Sequence, residues 1–244
     1  MLDDMRLLRD AVHDYRAAAT SAGLTWPEPE VDTVPGGPAP DLVHRLFDVD
    51  RVAGHATWLL SQGWEMDRLL PGGGWIAAWP TDVRDALDIV AMAIGAPFAW
   101  RRQLPLFGFE HHVFTFILAG DHEGEIWRYE IDPDGWGPAP AAPGLAALFT
   151  QWSRAIRAGV VGRVDHLGWL QVGPDIPGND AAVVRALQQH GLDPLAFPVY
   201  LTGHPLLRAR QIESGVDIDA VDRGFDALEE LMDEADAVRA RLSG

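Results

Sequence analysis

Met5, Leu8, Val12, Tyr15, Ala19 and Ala22 recur at steps of three and four, which draws one apolar stripe along a helix. Asp3 or Asp4 can cap its start, and Gly23 stands where a helix-ending glycine belongs. The proline- and glycine-dense "TWPEPEVDTVPGGPAP" then reads as a linker or surface loop. Residues 1–23 are therefore an N-terminal helix and residues 24–40 a linker. A main domain is expected over 41–162, followed by a helical extension over 163–244 packed on it.

Within the main domain the pattern from Asp41 to Leu70 is helical but interrupted, with Leu42, Leu46, Val52, Trp58 and Leu59 as core positions. "LLPGGGWIAAWP" reads as a glycine turn feeding a short strand. Residues 72–77 spell the outline of a dinucleotide loop, G-x-G-x-x-A, but Pro71 precedes it and a strand-like run follows. The fingerprint needs a strand before and a helix after, so the match is set aside. "TDVRDALDIVAMAIG" restores helical order between Thr81 and Gly95. Residues 112–118 and 125–131 are rich in β-branched and aromatic side chains and read as two strands. "GDHEG" between them supplies the glycines that a hairpin loop demands. "DPDGWGPAPAAPG" is expected to be a long loop. In "LAALFTQWSRAIRAGVV" the residues Leu145, Leu148, Phe149, Trp152 and Ile156 share one helical face.

The tail predicts a short strand in "GRVDHLGWLQVGPDIPG", a capped helix in "DAAVVRALQQHG" and a long terminal helix. In that last element Ile218, Val221, Phe225, Leu228, Met232, Ala235 and Leu242 follow heptad spacing, broken at Arg239, with acidic residues opposite. Three heptads make a marginal zipper, so docking on its own domain is favoured over pairing with a second copy.

The adjacent His111 and His112 invite a metal or catalytic reading, which the strand pattern opposes. Consecutive side chains on a strand point to opposite faces, so the two imidazoles cannot grip one ion. His112, Phe114, Phe116 and Leu118 share one face and Val113, Thr115 and Ile117 the other, the signature of an interior strand. His112, at the strand's beginning, reads as a hydrogen-bonded rim residue, and His122 falls at a solvated hairpin tip. The other histidines are scattered singly, and no H-E-x-x-H, G-x-S-x-G, P-loop or S-x-x-K pattern occurs.

Composition narrows the picture further. The 244 residues contain no cysteine, which removes disulfides, thiolate metal sites and thiol nucleophiles. The start carries acids where a signal peptide would be basic, and the longest nearly apolar stretch, 89–100, is too short to span a bilayer, so a cytoplasmic location is expected. Every one of the 19 positive charges is arginine, and 36 acids leave a formal charge of −17. That field repels phosphates and anionic lipids, so neither nucleic acid nor membrane is an expected partner; it permits a basic protein, and it also serves solubility alone.

"WRRQLPLF", the segment "AGDHEGEIWRYEID", a Pro/Gly loop and "LAALFTQWSRAI" together resemble the central part of the SMI1/KNR4, or SUKH, superfamily. Leu104 and Pro105, Gly124 with Ile126, Asp132, and Leu148, Phe149 and Trp152 occupy the matching places, over roughly residues 98–158. The resemblance implies an α+β fold with a twisted antiparallel or mixed sheet backed by helices, no catalysis and no cofactor. It also implies a role like that of bacterial immunity proteins, which bind and block a cognate toxin, often a nuclease. An acidic inhibitor suits a basic nuclease by steering and by standing in for its anionic substrate. The candidate contacts are Glu110, Asp121, His122, Glu123, Asp132 and Asp134, with Trp136 as an aromatic anchor. Two alternatives remain open: a metal-assisted hydrolase in which one of His111, His112 or His122 meets another histidine and an acid, and a scaffold or homodimer built through the terminal helix.

Overall fold

In a computed structural model, residues 2–26, 47, 54–62, 64, 68–76, 98, 100–130, 137–177, 179–215 and 228–243 are described. The stripe that begins at Met5 winds into α1 (Leu2–Ser21). Leu8, Val12, Tyr15 and Ala19 are buried along it, and Gly23 ends it with φ 91°. Because the helix starts at Leu2, Asp3 and Asp4 lie inside its first turn, where negative charge meets the positive end of the dipole. The short α2 (Gly54–Leu60) buries Ala56, Leu59 and Leu60, while Trp58 is only partly buried. The sequence expectations for Leu42, Leu46 and Val52, for the helix over 81–95 and for most of the linker lie outside the described residues.

A single glycine-rich turn (Pro71–Gly73) leads into β1 (Trp75–Ile76). It is followed by β2 (Gln103–Gly108), β3 (His112–Ile117), β4 (Ile126–Glu130) and β5 (Ala139–Ala142). These five form one antiparallel sheet in the order β1-β2-β3-β4-β5. The β3–β4 hairpin matches the sequence reading, and Gly120 and Gly124 take φ 97° and 92° in its loop. β2 was not foreseen. Pro105 interrupts its pattern, and a bulge between Pro105 and Phe107 absorbs the missing N–H. The expected loop after β4 is also corrected: its "APAA" portion is β5, whose proline is tolerated because the strand lies at the sheet edge.

The helix α3 (Leu145–Arg157) buries Leu145, Leu148, Phe149, Trp152 and Ile156, the face that its periodicity marks. It packs against α1 and onto the sheet, where Phe107, Phe149 and Trp152 meet edge to face at 5.0–6.2 Å between centroids. The tail supplies two strands rather than one, β6 (Val161–Arg163) paired with β7 (Leu170–Val172). It continues through α4 (Asp180–Gln189), α5 (Pro205–Ser214) and α6 (Leu228–Ser243). Buried residues from Leu8 to Val238 join one core. Among the described residues no helix is long and apolar enough to cross a membrane. The molecule is an α+β fold with an antiparallel sheet backed by helices.

Candidate functional site

The alternation in "IWRYE" sends Ile126, Arg128 and Glu130 to one face of β4 and Trp127 and Tyr129 to the other. On the second face Gln103 Oε1 accepts from Thr115 Oγ1 at 3.1 Å and from the Tyr129 hydroxyl, all three residues being fully buried. The first face carries a charged pair with no exposure at all, Arg128 Nη2 to Glu130 Oε1 at 3.0 Å.

Such a pair persists only when its remaining hydrogen-bonding capacity is met. Residues 193–202, crossing the sheet as a strap, meet all of it but the buried Arg128 Nε–H, which finds no acceptor among the described residues. Arg128 donates to the carbonyls of Phe197 at 2.8 Å and Val199 at 2.6 Å. Glu130 accepts from the backbone N–H groups of Leu201 at 2.8 Å and Thr202 at 2.9 Å, and from the Thr202 hydroxyl. His112 adds a bond from Nε2 to the Val199 carbonyl at 3.2 Å, so that nitrogen carries the proton. Burial, then the Arg128 charge, drives the His112 imidazole down to about 2, so it is neutral. Burial lowers the Arg128 guanidinium to about 10, against the opposing pull of Glu130 and Asp193, and it stays charged at neutral pH.

His112 is thus a covered residue rather than a rim residue. Its neighbour His111 is half exposed beside Glu110, and Tyr200 stands against both rings at 5.5 and 5.2 Å. The two imidazoles have different partners, His112 Nε2 the Val199 carbonyl and His111 Nε2 the Glu110 carboxylate at 3.7 Å. Among the described residues no group of three His, Asp or Glu side chains is placed to hold a metal ion.

The strap begins at Asp193, which also forms the wall of an open cleft of about 420 Å³, a size typical of ligand sites. The hairpin tip stands on one side of this cleft and α5 on the other, with Pro140–Pro143 of the β5 edge and Ala147 of α3 between them. His122 is therefore not a bare tip residue. Its Nδ1 lies 3.0 Å from Glu125 Oε2, which also accepts from Trp127 Nε1 at 2.9 Å. Phe98 and Trp127 pack edgewise against the His122 ring at 5.4 and 5.6 Å. Across the cleft Arg210 donates to Asp193 Oδ2 at 2.9 Å and lies 3.5 Å from Glu213 Oε2. Asp193 Oδ1 caps the strap's first turn at the Leu195 N–H.

Of the sequence-predicted contacts, Asp121, His122 and Glu123 lie together at the tip, the two acids exposed. Glu110 precedes the other end of β3, a strand length away. Asp132, Asp134 and Trp136 lie outside the described residues. Glu125, Asp193, Arg210 and Glu213 were not foreseen. Only Glu125 had a local signal, since it belongs to the same acidic run as Glu123.

An imidazole held by a carboxylate at Nδ1 can take a proton at Nε2. The one lining hydroxyl described in the cleft, Ser214, donates instead to the Gln211 carbonyl at 2.8 Å. The arrangement favours holding a ligand over attacking one. No protein-family model, no curated protein and no solved structure matches this chain.

Proposed function

We propose that this protein is a non-catalytic binding module of the SUKH immunity type, acting in the cytoplasm by neutralising a basic toxin through direct contact. One observation carries the reading: an exposed acidic hairpin tip adjoins an open cleft whose walls hold more carboxylates than cations. The formal charge of −17 supports it by providing a long-range field for a basic partner. A nuclease would be met where it normally meets phosphate, so binding and inhibition would coincide.

The test is to express the product of the adjacent gene, where that product is basic and toxic, and titrate it with this protein. A one-to-one complex with loss of toxicity is expected. A basic neighbour that is toxic yet forms no complex at micromolar concentration would refute the reading.

A further inference from the structure

Resting on that binding reading, we propose that the cleft beside the hairpin tip receives an arginine side chain of the partner. Its guanidinium would lie on Glu125 and its methylene stem along the Pro140–Pro143 edge. The charge of the cleft favours a cation. Among its described lining residues three carboxylates, Glu125, Asp193 and Glu213, stand against one guanidinium, Arg210. Arg210 is already committed to Asp193 and Glu213. Asp193 is committed twice, to Arg210 and to the Leu195 N–H.

Glu125 is different. Its Oε2 takes both available donors, Trp127 Nε1 and His122 Nδ1, and its Oε1 accepts no hydrogen bond from a described residue. Trp127 is 1% exposed, so the carboxylate is held from beneath by a fixed donor, with little rotamer freedom left to lose on binding. Pro140, Ala141, Ala142, Pro143 and Ala147 make a floor of short apolar side chains. Such a floor suits the stem of a long cationic residue.

The same edge argues against an added β-strand as occupant. Pro140 and Pro143 present no N–H, and Gln211 Nε2 already uses the Pro138 carbonyl at 3.3 Å. Arginine fits better than lysine because its flat, weakly hydrated head loses less on leaving water for a partly apolar cleft.

The experiment follows the indole N–H of Trp127 by ¹⁵N-resolved NMR while the full chain is titrated with acetyl-Gly-Arg-Gly-amide. A saturable shift is expected, at least ten-fold weaker when citrulline replaces arginine. E125Q keeps an oxygen to accept from Trp127 and His122, and an unchanged amide fingerprint confirms its fold. It should weaken binding at least ten-fold, whereas the charge-matched control E229Q/E230Q, at two exposed acids of α6 outside the cleft lining, should change it less than two-fold. No shift, an equal response to citrulline, or an equal loss in the α6 control would overturn the proposal. If the toxic partner binds wild type and E125Q within two-fold, arginine insertion is wrong and the binding function stands. If the arginine peptide saturates as expected and the toxic neighbour forms no complex, the cleft's ligand class holds and the toxin reading fails.

Discussion

Arg128 and Glu130 hold more than each other. For an isolated buried pair, replacing both members by apolar side chains is often neutral, while removing one strands a charge. Here the pair's other partners are backbone groups of the strap, which no apolar substitute can satisfy. E130Q is expected to cost about 3–5 kcal/mol, because its amide nitrogen must face either the Arg128 guanidinium and the Leu201 N–H, which share Oε1, or the Thr202 N–H, which Oε2 accepts. R128M/E130L should remain at least ~2 kcal/mol below wild type, since the Leu201 and Thr202 N–H groups lose their acceptor and the Phe197 and Val199 carbonyls each lose one of two donors. Urea unfolding measures both, and full recovery in the double variant would show that the strap bonds contribute little. His112 adds a pH dependence of definite sign. The unfolded chain takes a proton on this imidazole near its ordinary 6.5, the folded chain only at about 2. As pH falls through 6.5 the unfolded state therefore binds more protons, and stability declines by up to about 1.4 kcal/mol per pH unit. H112Q, whose amide can still donate to Val199, should flatten the stability profile between pH 6.5 and 4.5.

At the level of elements, what local pattern dictates was legible and what tertiary context decides was not. The α1 and α3 stripes and the β3–β4 hairpin follow from periodicity and loop glycines alone. β2 and β5 contain prolines, which local reading excludes from strands, and only a bulge and an edge position readmit them. The helix α5 is marked in the sequence only at its ends: His204 and Pro205 at its start, where His204 Nδ1 accepts from the Leu206 N–H, and Gly215 at φ 76° after its end. The heptad frame of α6 skips Val238, which is 2% exposed within the single chain, so at that position the helix packs on its own domain. Glycine also fixes one junction. Gly73 has φ +68°, and a Cβ there would lie 2.7 Å from the Trp169 indole, which in turn has the Arg68 guanidinium 4.6 Å from its centroid. G73A is expected to cost about 1–3 kcal/mol through strain and overpacking. A lower melting temperature together with shifted tryptophan emission would be the sign that the turn and the β6–β7 hairpin had moved apart.

For the whole molecule, the candidate site was only half readable because its two walls are far apart in sequence. The tip at 121–125 was visible as an acidic loop, but Asp193 and α5 reach it only because Arg128 and Glu130 anchor the strap that starts at Asp193. Buried ion pairs of this kind set geometry, and net charge sets reach. With −17 on the chain and a Debye length of about 30 Å at 0.01 M salt but only about 8 Å at 0.15 M, association with a basic partner should be steered at low ionic strength. The association rate constant is expected to fall at least ten-fold between 0.01 and 0.5 M salt. Contacts inside the cleft are shielded from ions, so the dissociation rate should change much less. Stopped-flow mixing across that series separates the two. A dissociation rate that rises as steeply as association falls would place the interaction on the exposed tip carboxylates instead of in the cleft.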